Sequence, residues 1–200
     1  SMEISDLQID GNSSTVGAPT ENYDGIHVRR HAGGVTVRNV RVVNAPRDGI
    51  ATEPTVALSV NLSVKLSILN TFIGDSGRNA LRLFGVFSSQ VRGCEIRDSG
   101  ADAIFLSART DNILGGLGPL DVVNNQLIYA GAPTRVHSSV SGTTGAGVYL
   151  ADPGAAGGGA GQIAIRGNLI DNANDAGIEL ETASAVAVQN NLIANAGDEA

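Results

Sequence analysis

A short phrase returns six times along these 200 residues: a small residue, an aliphatic one, then strict alternation. It first reads Asp24-Gly25-Ile26-His27-Val28, Asp48-Gly49-Ile50-Ala51-Thr52, Asn79-Ala80-Leu81-Arg82-Leu83 and Asp102-Ala103-Ile104-Phe105-Leu106. It closes with Gly145-Ala146-Gly147-Val148-Tyr149-Leu150 and Asp175-Ala176-Gly177-Ile178-Glu179-Leu180. Successive aliphatic anchors stand 24, 31, 23, 44 and 30 residues apart. A second anchor precedes most of them by eight residues: Val42, Ile73, Ile96 and Ile170, with Ile9, Ile128 and Ile193 assigned the same place. Fixed-period self-similarity is the signature of a repeat architecture.

The shortest interval is the basic unit, and the longer ones are that unit with loops added. Each unit holds two or three short period-2 strands between Gly, Asn, Asp and Ser turns. No segment has a capped helical stripe. A unit this small cannot bury its apolar face alone, so units must stack into a solenoid. The expected fold is all-β, a right-handed parallel β-helix of about six to seven coils, roughly 30 Å long at the usual strand spacing. One domain over 1–200 is expected, and its unfinished ends read as a fragment lacking one or both caps. Loops are expected at Asp10 to Tyr23, Pro54 to Lys65, between Asp102 and Gly145, and at Pro153 to Gly161.

Composition narrows the function. Aromatics are 4% with no Trp, and glycine fills 26 positions. The net charge of -7 lies entirely in residues 111–200, whereas residues 1–110 balance 11 basic against 11 acidic side chains. A basic nucleic-acid footprint is absent. No run approaches the length of a membrane span. The single cysteine, Cys94, excludes an internal disulfide and a Cys-based zinc site, and its place beside Ile96 predicts a buried, inert thiol. Asn39, Asn125, Asn168 and Asn191 are read as turn asparagines that stack as a ladder.

Strand parity assigns sides. Inward positions are Val28, Thr52, Leu83, Leu106, Leu150 and Leu180. The first outward column is His27, Ala51, Arg82, Phe105, Tyr149 and Glu179, and the second is Arg29, Glu53, Phe84, Ser107, Ala151 and Glu181. A third column, Asp24, Asp48, Asn79 and Asp102, runs before the anchors. Together they put acids, bases and flat rings on one strip. Arginine holds carboxylates bidentately, rings stack on sugars, and carboxylates or histidine transfer protons. The candidate catalytic residues are His27, Asp48, Glu53, Arg82 and Asp102. The candidate substrate-binding residues are Asp24, Arg29, Phe84, Phe105 and Tyr149. A turn role for the Asp-Gly aspartates competes with this reading, and exposed Phe84 and Phe105 equally suit a packing face for a loop or a second chain.

Ile4-Ser5-Asp6-Leu7-Gln8-Ile9-Asp10-Gly11-Asn12 resembles the opening of the β-helix in pectate-lyase-like proteins, notably the catalytic modules of mannuronan C5-epimerases. Val35-Thr36-Val37-Arg38-Asn39-Val40-Arg41-Val42, followed by Asp48-Gly49-Ile50, is similar to the coil that leads into their active site. The resemblance implies a uronate polysaccharide as substrate and lyase or epimerase chemistry. Their Tyr-Gly-Phe-Asp-Pro-His motif is not retained. Asp48 takes the tyrosine place, Ala51 the aspartate place and Glu53 the histidine place. A second family histidine falls on Asp102. The substitute pair is Arg82, neutralising a uronate carboxylate, with His27 or an acid as base.

Two functions follow. One is an enzyme acting on acidic polysaccharide. The other is a non-catalytic glycan-binding or structural β-helix, such as a phage tailspike or surface-adhesin segment, with homo-oligomerisation through the exposed rings. Polysaccharide is the expected partner, with no nucleic acid and no membrane. The expected location is secreted, or on a cell or virion surface. No cofactor is implied, and calcium is left open.

Overall fold

The computed structural model describes residues 1–12, 23–29, 34–52, 64–107, 117–131, 145–151, 162–181 and 185–197. Glu53 and most of the four expected loops lie outside these residues. All regular structure among them is strand, in three parallel sheets. The first sheet stacks Met2–Ser5, Val35–Arg38, Leu66–Leu69, Ser89–Arg92, Leu120–Val123, Ile163–Arg166 and Val186–Gln189. The second stacks Gln8–Asp10, Arg41–Val43, Phe72–Gly74, Glu95–Ser99, Gln126–Ala130, Leu169–Asp171 and Leu192–Ala194. The third stacks Ile26–Val28, Ile50–Thr52, Leu81–Phe84, Ile104–Ser107, Val148–Ala151 and Ile178–Leu180. Every turn of chain thus lays one strand on each of three walls, a β-helix.

The repeated phrase falls on the third wall in strict register. Ile26 pairs with Ile50, Ile50 with Leu81, Leu81 with Ile104, Ile104 with Val148 and Val148 with Ile178. These anchors and the second set, apart from Ile128 and the exposed Ile193, meet in a single core. The small residue before each anchor is explained by that core. A Cβ on Gly49 would stand 2.5 Å from Cγ2 of Ile73 and 2.7 Å from the Ala80 carbonyl oxygen. The phrase needs a small residue because the next coil's second anchor occupies the space beside it.

One assignment slips by a residue. Leu127, not Ile128, pairs with Ile96 and Ile170 and is buried. Both are aliphatic, and the corner residue Asn125 decides between them. Its Oδ1 accepts the Cys94 backbone N–H, and its own N–H and Nδ2 donate to Oδ1 of Asn168. Asn168 repeats this toward Asn191. The Nδ2 atoms also donate to the carbonyls of Val91, Val122 and Ile165. The asparagine ladder is therefore real in three of its four expected members. Asn39 belongs one position earlier, in a corner column with Asp6, Asn70, Gly93, Asn124, Gly167 and Asn190, all at positive φ. Asn, Asp and Gly tolerate that left-handed backbone at least cost.

Candidate functional site

The third wall carries the strip in continuous register, although Ala51, expected outward, is wholly buried and Leu180, expected inward, is exposed at the last coil. His27 pairs with Ala51, Ala51 with Arg82, Arg82 with Phe105, Phe105 with Tyr149 and Tyr149 with Glu179. The third column behaves differently from expectation. Asp48 and Asp102 are wholly buried, and the Asp24 side chain is as well. A residue two before an inward anchor shares its parity, so these carboxylates point beneath the strip. They form a second ladder. Asp24 Oδ1 accepts the Asp48 N–H at 3.2 Å. Asp48 Oδ1 accepts the Asn79 N–H and Nδ2. Asp102 Oδ1 accepts the N–H groups of Gly145 and Ala146.

Two members of this ladder also reach the strip. Asp24 Oδ2 lies 2.6 Å from Nδ1 of His27, whose side chain is 18% exposed. A carboxylate at one ring nitrogen fixes the imidazole's orientation and leaves the other nitrogen to exchange protons. That nitrogen, Nε2, is itself buried and has no hydrogen-bond partner among the described residues. Asp48 is the hub of an arginine cluster. Arg78 forks onto it through Nε at 3.0 Å and Nη2 at 2.5 Å. Arg47 Nε and Arg82 Nη1 approach the same Oδ2 at 3.5 and 3.7 Å. Burial first, and then the charge of Arg78, lower Arg82 from the ordinary arginine range to about 10. Its guanidinium also lies 4.5 Å from the Phe84 ring centroid.

The rings are less exposed than expected. Phe84 and Tyr149 are buried and Phe105 is half-buried. Phe84 and Phe105 pack with centroids 5.6 Å apart, and Phe105 and Tyr149 at 5.5 Å. Burial of the Tyr149 phenol, its hydrogen bond to Glu181 and the nearby acids push its pKa well above the ordinary range. Arg29 is exposed at the end of the His27 strand. The strip therefore runs from a cationic end, through a ring stack, to Glu179 and Glu181.

The structure brings His27, Asp24, Asp48 and Arg82 together, and places Asp102 in the buried ladder away from the strip's surface. Arg47 and Arg78 were not singled out by the sequence reading. They stand three before their anchors, where parity points outward, so counting the columns backward as well as forward finds them. No group of three or more His, Cys, Asp or Glu side chains suited to a metal ion occurs among the described residues. No described helix is long and apolar enough to cross a membrane. Comparison with curated proteins and with solved structures finds no match. The model of the right handed beta helix region matches residues 2–200, and with three parallel walls around one core the chain belongs to that family.

Proposed function

We propose that this β-helix is carbohydrate-active and takes an acidic polysaccharide of the uronate class along its third wall. The observation that carries the reading is the pairing of Asp24-held His27 with an arginine cluster around Asp48 on adjacent coils. Arg82 and Arg47 receive the sugar carboxylate. His27, oriented by Asp24, is the group that exchanges the proton, and its buried Nε2 must be uncovered for the sugar to reach it. Asp48 and Asp102 are structural rungs rather than catalytic groups, because backbone N–H groups occupy their carboxylates. Lyase or epimerase chemistry, as in the pectate-lyase-like proteins this chain resembles, fits a histidine beside a cation. The histidine here sits on a different rung from theirs. A polysaccharide substrate goes with a secreted or surface location.

A second reading has its own observation. The ring stack is buried against itself rather than offered to a ligand, as in a scaffold or adhesin segment. Proton NMR of alginate, pectate and neutral glycans, before and after incubation with the protein, with and without calcium, separates the two. New unsaturated or inverted sugar signals are expected. Unchanged spectra across the panel overturn the enzyme and leave the scaffold.

A further inference from the structure

The arginine cluster holds more donors than its carboxylates use. A guanidinium has five N–H donors. Arg78 spends two on Asp48. Arg47 and Arg82 reach Asp48 only at 3.5 and 3.7 Å, beyond ordinary N–H···O hydrogen bonds. Both keep about a fifth of their side chains exposed, at 21% and 19%. The acids below are already engaged. Asp48 serves Arg78 and Asn79, and Asp24 serves His27 and the Asp48 N–H. Three guanidiniums thus face two carboxylates, and Arg82 is lowered first by burial and then by the charge of Arg78.

We infer that Arg47 and Arg82 form an oxyanion site, for a carboxylate or sulfate carried on a sugar, and that filling it draws a proton onto His27. The inference deepens the function proposed above and rests on it for the sugar that bears the anion. His27 and Arg82 are two rungs apart on one outward column, roughly 10 Å at the usual strand spacing. Among the described residues, Asp24 contacts His27, and the other charged groups at this end of the wall are Arg29 on its own segment, Asp48 and Arg47 on the next coil, and Arg78 and Arg82 on the third. An anion on Arg82 adds negative charge to this set and favours the imidazolium. Asp24 holds Nδ1, so the incoming proton goes to Nε2. Linkage is reciprocal, so the protonated histidine also tightens the anion. At this separation and an effective dielectric of about 50, between protein surface and bulk water, the effect is roughly threefold. With its anion in place the imidazolium carries its second proton at the buried Nε2.

The test is an NMR titration of the His27 imidazole in the full chain, with inorganic sulfate and with glucuronate as separate arms. It spans about pH 5.5 to about pH 8, where histidine changes charge, at ionic strength held constant with chloride. Either anion is expected to move the His27 midpoint upward. Anion affinity is expected to be about threefold tighter at the acid end. Arg82→Gln and Arg47→Gln, each checked for native circular dichroism, should weaken binding of the anion. His27→Gln should remove the pH dependence. A midpoint unmoved at saturating anion, or a pH dependence that survives His27→Gln, overturns the proton linkage. Failure of both anions to bind overturns the site itself. Binding of sulfate without glucuronate upholds the site and the linkage while removing a uronate from the proposed function.

Discussion

Arg82 is the residue on which the proposed chemistry turns. It is outward by parity, about one-fifth exposed, and lies 3.7 Å from Asp48, beyond an ordinary hydrogen bond. Removing it should cost recognition rather than fold. Arg82→Ala is expected to lower kcat/KM on the responsive glycan about 10- to 100-fold, the worth of a charge-assisted hydrogen bond, with the thermal midpoint nearly unchanged. Loss of the folded state instead would make Arg82 structural. Cys94 supplies a second residue-level expectation. It is buried, and desolvation raises its thiol to about 11. Below that pH the sulfur keeps its proton and is a poor nucleophile. A thiol reagent at about pH 8 should therefore leave native protein unlabelled and take up one equivalent only after denaturation. Parity alone made His27 and Arg82 legible in the sequence. Asp48 and Asp102 were set on the strip although, two before an inward anchor, they share its parity; a turn aspartate reads as a surface residue until the stacking partner above it is known. Glu53, the remaining candidate acid, falls outside the described residues.

At the scale of elements, the corners hold the coils in step. Asn168 is buried and satisfies donors on Asn125 while using Asn191 and the Val122 carbonyl for its own. Asn168→Ala leaves buried N–H groups without acceptors and is expected to cost about 2–4 kcal/mol, since each orphaned group costs about 1–3. Asn39 makes its side-chain bond to Asp6 at the exposed surface and stands at φ 53. Asn39→Gly, which accepts that backbone freely, should change stability by less than about 0.5 kcal/mol. Urea denaturation of both variants checks the contrast. The strands and their order were legible because a period of two and a recurring phrase survive translation into three walls. The Leu127 register was not, because two adjacent aliphatics satisfy the same pattern and only the Asn125 corner separates them. Arg47 and Arg78 were hidden for a related reason: they sit in a corner, outside the strands that parity was applied to.

Across the whole molecule, one cross-section is repeated and the loops between repeats vary. Adjacent strands on every wall join residues that are 23 or more positions apart, such as Gln90 and Ser67. Folding must close those separations before any wall forms, which makes slow folding the expectation for this topology. The walls also divide the labour, since the third alone gathers the cationic cluster, the rings and the two glutamates. Because the corners set every coil in the same phase, the walls, unlike the loops, can be edited only in whole steps. Excising residues 89–119 would join Ser88 to Leu120, the register partner of Ser89, and take out one complete circuit of all three walls. That shortened chain should fold, with Tyr149 one step of about 4.8 Å nearer to Arg82. Deleting a single residue within the Ser89–Arg92 strand should be strongly destabilising, because it turns the inward side chains of the rest of that strand outward. The spacing between the two charged ends of the strip is then an adjustable length, as on a ruler, and glycan chain-length preference should move with the number of circuits kept.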